Sequence, residues 1–413
     1  MLPAGELAHH AAETVARRSY GKLIALLAAR TRDVAAAEDA LSEALASALA
    51  DWPRKGCPSN PEGWLLTVAR RKAIDNARGL RRGEIAVERL QATAEGIDAA
   101  AAAEIPDRRL ALMFVCAHPA IEAAIRAPLM LQTALGLDAR AIASAFLTSP
   151  AAMSKRLVRA KEKIRDAGIP FCIPDREELP ARLDAVLEAI YATFAEGWTG
   201  AGGTDVARRD LTEEALFLAR LVVELAPEEP ESLGLLALML HAEARRRARR
   251  SPVGEYVPFT DQDPALWDWP MIEEAEALLR RAGAMGVIGR YQLEAALQSA
   301  HVHRKRTGES NWFAVLQLYD ALLALTASPV VAVNRALAVA EIEGAESALQ
   351  TLDRVAADAR VPEYQPYWAA RAELLSRIGA GAAARQSYEI AIGLERDPAV
   401  RRFLLRRQAM CDN

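Results

Sequence analysis

An all-α protein is what this sequence predicts, and three observations predict it. Apolar residues make up 52% of the chain but aromatic ones only 6%, with alanine prominent, a composition that favours helix over sheet. Apolar positions recur at intervals of three and four. From Pro180 onward one helical pattern follows another, separated by short breaks rich in Gly and Pro. At 413 residues the chain is too long for one ordinary compact domain, so two or three folding units are expected.

Composition also excludes classes. No uninterrupted apolar stretch of about 18 residues occurs, and "MLPAGELAHHAAETVARRSY" lacks the basic flank and apolar core of a signal peptide. A cytoplasmic protein without membrane contact is expected. Cys57, Cys116, Cys172 and Cys411 form no CxxC pair, so reduced thiols are expected. "CAHP" places Cys116 two residues from His118, half a metal site with no second pair at ligand spacing. No metal and no cofactor are expected. Nor is an enzyme, because no glycine-rich phosphate loop, HExxH or GxSxG occurs.

The formal net charge is -4, but it is unevenly divided. Residues 1–170 carry 24 Lys and Arg against 19 Asp and Glu, whereas the remainder carries 27 against 36. Such asymmetry points to a polyanionic partner for the N-terminal part alone.

The elements follow in order. Residues 14–50 read as helix, broken near Thr31-Arg32-Asp33. The loop "PRKGCPSNPEG" ends that pattern. A basic helix, "GWLLTVARRKAIDNARGLRR", follows and fades at Gly83; its stripe of Leu66, Ala69, Ala73, Ala77 and Leu80 is apolar, and Arg71, Asp75, Arg78 and Arg82 lie opposite, flanked by Arg70 and Lys72. Residues 84–106 read as a linker. Helical patterns resume near Asp107 and run to Ala167, where "GIPFCIPDREELP" marks a boundary.

Near the end of that stretch lies a second basic helix. Ser149-Pro150 provides an N-cap followed by proline at the first helical position. Met153, Leu157, Ala160 and Ile164 form the buried stripe, leaving Ala152, Lys155, Arg156, Arg159 and Lys163 outward. Upstream, "LDARAIASAFL" is a short helix with Asp138 as its cap, and Leu147-Thr148 connects the two. Short helix, tight turn, longer basic helix is the helix-turn-helix pattern, in which small residues at the start of the second helix reach bases and cations further along hold phosphates. A solvated charged face is the plainer alternative for each basic helix. Before the first of them, Glu38, Asp39 and Glu43 project from an alanine-rich helix, Asp39 and Glu43 four residues apart.

Beyond Pro180, evenly spaced helix pairs suggest an α-solenoid. Gly379, Ala384, Tyr388 and Ala391 match the small/aromatic/small ladder of a tetratricopeptide repeat, and Tyr319, Leu322 and Pro329 repeat the spacing of Tyr388, Ala391 and Pro398. A generic helical bundle is the alternative. His301 and His303 beside "RKR" read as a solvated helix end.

The order of acidic helix, loop, basic helix, linker and helix-turn-helix resembles bacterial sigma factors of the extracytoplasmic-function type. "AAEDALSEALASALADW" is similar to their region 2.2, "PEGWLLTVARRKAIDNAR" to regions 2.3 to 2.4, and "ARAIASAFLTSPAAMSKRLVRAKEKIR" to region 4.2. "DRRLALMFVCAHPAI", "RAKEKIRDAGIPF" and the long helical extension resemble the subgroup with a tetratricopeptide-like domain. The resemblance implies two small helical sigma-type domains followed by a tetratricopeptide-like solenoid: region 2 over 1–83, a linker over 84–106, region 4 over 107–170 and a regulatory domain over 171–413.

It also implies partners, namely the beta-prime clamp and beta flap of core RNA polymerase, and promoter DNA. Glu38, Asp39 and Glu43 would face the clamp. Residues Trp52 to Asn60 would capture a base flipped from the minus-ten element. Trp64, Arg70, Arg71, Lys72, Asn76 and Arg78 would hold that strand. Ala152, Ser154, Lys155, Arg156, Arg159 and Lys163 would meet the minus-35 duplex in the major groove. Many relatives have lysine then serine where this chain has Ser154-Lys155, which leaves the base-contact register open. The acidic solenoid would bind a protein partner or fold back on the basic part. A helix-turn-helix regulator acting without polymerase is the competing reading; it needs only the second basic helix.

Overall fold

The computed structural model describes residues 4–79, 107–146, 148–175, 177–199, 205–358 and 360–412. The linker expected over 84–106 lies outside the described residues. Those described are helical, with one isolated bridge, Arg250 to Tyr256, and no strand.

The chain divides into two compact units, one of residues 1–198 with 205–218, the other of 199–204 with 219–413. The first opens with α1 (Ala4–Thr31), α2 (Val34–Lys55) and α3 (Pro61–Gly79), which pack on one another. The α1–α2 break falls where the sequence places it. Arg32 takes a positive φ of 56°, and Asp33 caps α2 by accepting from Ala36 N at 3.1 Å. Ala37, Ala40, Ala44 and Ala48 are fully buried, so the alanine-rich run gives close helix contact rather than merely helix propensity.

Next come α4 (Arg109–Cys116), α5 (Ala123–Thr133), α6 (Ala139–Ala145) and α7 (Pro150–Asp166). Phe114, Met113, Leu129 and Met130 form their centre, all fully buried. Within this unit α4 packs on α1 and α5, and α7 packs on α6, α5 and α2. Then α8 (Leu179–Thr199) follows, and α9 (Asp205–Leu225) contributes its residues to Leu218. The contact division thus falls later than the proline-marked boundary at 171. Within this unit Arg109 is buried, pairs with Asp107 and with Glu214 of α9, and lies 5.3 Å from the centre of the Phe217 ring.

In the second unit, α10 (Pro230–Glu243) packs on α11 (Trp269–Gly283) and α12 (Arg290–Thr307). Then follow α13 (Trp312–Thr326), α14 (Pro329–Glu343), α15 (Ala345–Val355), α16 (Gln365–Arg377), α17 (Gly381–Leu394) and α18 (Pro398–Ala409), each packed on the next. Ala384, Tyr388 and Ala391 are buried against α16 and α18. Gly379 turns the chain between α16 and α17 with φ 74°. His301 corrects one expectation: it is not at a solvated end but half-buried, its ring centre 5.7 Å from that of Phe259 and 6.1 Å from that of Trp312, and burial lowers its pKa to about 4. His303 is exposed.

Candidate polymerase and nucleic-acid interface

Two groups of outward cations occur in the first unit, one on α3 and one on α7. On α3 the buried side is Leu65, Leu66, Ala69 and Ala73. Arg71 and Asn76 are exposed and Lys72 is half-buried. The Arg78 side chain lies outside the described residues. Arg70 faces inward enough that its Nε is buried without a hydrogen bond. Burial first, and then Arg30, lower its pKa to about 10. Arg30 is lowered in turn by burial and by Arg108. The Arg30 guanidinium of α1 therefore repels Arg70 on α3 and is repelled by Arg108 on the approach to α4. None of the three has a hydrogen-bond or ion-pair partner among the described residues. Sequence patterning missed Arg30 and Arg108, which no linear motif connects to Arg70.

The loop expected to capture a base is shorter than Trp52 to Asn60. Residues up to Lys55 belong to α2, and Trp52 is 2% exposed. Its ring meets Trp64 edge-on, with centres 5.5 Å apart and planes at 67°. Trp64 is half-buried on that partner, so its position is fixed by packing. Gly56 to Asn60 remain as loop, and Asn60 Oδ1 caps α3 by accepting from Gly63 N at 2.9 Å.

The three carboxylates on α2 have different surroundings. Glu38 is 17% exposed and accepts from Lys161 Nζ of α7 at 2.5 Å. Burial raises its pKa against the lowering by Lys161. Glu43 accepts from Asn76 Nδ2 at 3.2 Å and lies 3.4 Å from Lys72 Nζ. Asp39 is exposed and has no such partner among the described residues. A basic partner surface would find Asp39 free and the other two already occupied.

The second group is built as the sequence indicates. Asp138 Oδ1 accepts from Arg140 N and Ala141 N at 2.9 and 2.7 Å, and Ser149 Oγ accepts from Ala152 N at 3.3 Å. Met153, Leu157, Ala160 and Ile164 are buried, and so is Lys161. Ala152, Ser154, Lys155, Arg159 and Lys163 are exposed. Arg156 is half-buried, 3.4 Å from Glu122. Val158, 54% exposed, shares this outward face; its apolar character hides it from a search for cations.

The "CAHP" residues serve packing. Cys116 is fully buried beside Thr133, its thiol pushed up to about 12 by burial. His118 Nδ1 accepts from Ala120 N at 3.1 Å. No three metal-ligating side chains converge among the described residues. No described helix is long and apolar enough to cross a membrane.

With this geometry in hand, the class is defined by α1 to α3: residues 15–83 match sigma-70 region 2, the module that implies binding to core RNA polymerase and promoter recognition. Residues 182–283 match a family of unknown function, DUF6596. The chain is 39% identical over 369 residues to the uncharacterized protein R00370 of Rhizobium meliloti (strain 1021), an alignment covering 88% of this chain and 87% of that protein. It belongs to the same family as that protein. No solved structure matches the chain.

Proposed function

We propose that the chain is a sigma factor of the extracytoplasmic-function type. It brings core RNA polymerase to promoters, and the C-terminal helices from 171 onward form a tetratricopeptide-like regulatory module. The polymerase contacts are assigned to Glu38, Asp39 and Glu43. The minus-ten strand is assigned to Arg70, Arg71, Lys72, Asn76 and Arg78, with Arg30 and Arg108 added. Trp64 then supports this face rather than stacking on a base.

The observation that carries the reading is the second cationic group in a chain that already has region 2. A capped helix with Lys155, Arg159 and Lys163 outward suits a major groove, the N-terminal Ala152 and Ser154 near bases and the cations on phosphates.

Binding of labelled promoter duplexes by the chain with core polymerase tests it. Affinity should fall steeply with salt as counterions are released, and scrambling the minus-35 element should weaken binding. Equal affinity for scrambled and native elements would remove the assignment of α7. The role of the C-terminal module is tested by deleting 226–413, which keeps α9 whole; unchanged transcription and promoter choice would remove it.

A further inference from the structure

Five side chains of the second unit form a continuous stack with a guanidinium at each end. Arg245 Cζ stands 4.9 Å from the centre of the Phe259 ring, and that ring lies 5.7 Å from His301. His301 lies 6.1 Å from Trp312, and Arg304 Cζ stands 3.7 Å from the centre of the indole. We propose that this stack is a binding site for a small oxyanion, a carboxylate or a phosphate, carried on a planar ring. The two guanidiniums and His301 take the oxyanion, and Phe259 and Trp312 take the ring. The proposal concerns binding by the second unit and holds whether or not the chain is a sigma factor.

Neither guanidinium is neutralised. Arg245 donates to two uncharged oxygens, the His241 carbonyl at 3.0 Å and Gln298 Oε1 at 2.5 Å. Arg304 lies on the indole with its Nη1 buried and without a hydrogen bond. Glu341 attracts Arg304, but that carboxylate is paired with Arg377 at 2.6 Å. No ion pair reaches Arg245 or Arg304 among the described residues. His301 stands between them: the charges acting on it are Arg304 and Arg245, both positive, and its Nδ1 is buried without a hydrogen bond. A partly buried cation is costly without an anion, and an unmade hydrogen bond at a buried group adds to the cost. One oxyanion relieves all three groups, and the planar fork of a guanidinium suits two of its oxygens.

The rings give the site a wall and an entrance. Arg245, Phe259, His301, Arg304 and Trp312 are all half-buried, so they border solvent rather than lie in the interior. Behind Phe259 stands Trp267, its ring centre 5.8 Å away and only 4% exposed. Trp267 packs with Ala244, Ala248, Ile272 and Val302, which makes this side a fixed backing. Arg304 is the movable side. A long side chain laid on an indole can lift, admit a flat ring onto Trp312 and turn its fork to the ring's oxyanion.

Calorimetry of the full chain with matched small molecules tests this. Benzoate and phenyl phosphate carry a ring and an oxyanion, benzamide keeps the ring without the charge, and acetate and inorganic phosphate keep the charge without the ring. Benzoate or phenyl phosphate should bind, and whichever binds more tightly names the oxyanion. That probe should bind at least about tenfold more tightly than benzamide, and more tightly than its ringless counterpart. Arg304→Gln should weaken it by about tenfold or more, whereas Arg306→Gln, exposed on the same helix, should leave it unchanged. Arg245→Gln should match Arg304→Gln. If circular dichroism shows the Arg245 variant unfolded, Arg304→Gln still decides, because the Arg304 side chain holds no hydrogen bond among the described residues. No binding of either ring-bearing anion at millimolar concentration overturns the proposal. So does benzamide or the ringless anion binding as tightly, an unchanged affinity in Arg304→Gln, or an equal loss in Arg306→Gln.

Discussion

The Glu43 carboxylate bridges α2 to α3, holding Lys72 at 3.4 Å and accepting from Asn76 at 3.2 Å. A residue assigned to polymerase thus restrains two assigned to the minus-ten strand. The pair is half-exposed, so it contributes at most about 1 kcal/mol. Glu43→Gln removes the charge and frees Lys72. Anisotropy with a minus-ten single strand and the polymerase complex should show tighter binding, by up to about fivefold. No gain would mean that the bridge does not restrain the DNA face.

Arg30 repels Arg70 and is repelled by Arg108, and none of the three guanidiniums has an ion-pair partner among the described residues, an arrangement that a phosphate would relieve. Arg30→Ala should therefore weaken single-strand binding and reduce the slope of log affinity against log salt by about 0.7. Lys55→Ala is the control, because Lys55 already pairs with Asp51 at 3.0 Å. Equal slopes for Arg30→Ala and native chain would exclude Arg30 from the strand path.

On α7, Arg159 is free to solvent whereas Arg156 is partly committed to Glu122. Arg159→Ala should thus cost more minus-35 affinity than Arg156→Ala. With α7 in the major groove as proposed, the exposed Val158 would meet a thymine methyl group. Replacing thymine by uracil across the element should weaken native binding about fourfold, from about 0.8 kcal/mol per buried methyl, and leave Val158→Ala unaffected. An identical loss in Val158→Ala would place the methyl against another residue.

His241, with no solvent exposure, has its pKa lowered to about 4 by burial and Arg245. Glu276 Oε1 lies 3.5 Å from its Nε2, but neither ring nitrogen is hydrogen-bonded, and burial outweighs that carboxylate. The unfolded chain binds the proton more readily, so this contribution is complete above the unfolded pKa of about 6.5 and is lost as pH falls towards 4. The loss should approach about 3 kcal/mol. Denaturant melts of native and His241→Gln chains between pH 7 and pH 4 would reveal it as a difference in slope. Parallel curves would show that His241 does not titrate on unfolding.

Much of this was legible because it is local. The cap at Asp33, the Ser149-Pro150 start of α7 and the stripe Met153, Leu157, Ala160, Ile164 are written within a turn or two of sequence, as are the breaks between C-terminal helices. What was not legible depends on distant packing. Lys161 sits in a basic run and looks like its neighbours until α2, more than a hundred residues earlier, is placed beside it. Glu38 and Glu43 look equivalent to Asp39 for the same reason. The resemblance puts Trp52 in a base-capturing loop, yet α2 continues through Pro53 to Lys55 and buries the indole against Trp64.

Run-off transcription with purified core polymerase tests the central claim most directly. On a template carrying the promoter of its own operon, the chain should yield a discrete transcript that core polymerase alone does not make. Combined alanine substitution at Lys155 and Arg159 should abolish it. Absence of any promoter-dependent transcript from such templates, with polymerase and chain both shown to be active in binding, would contradict the account.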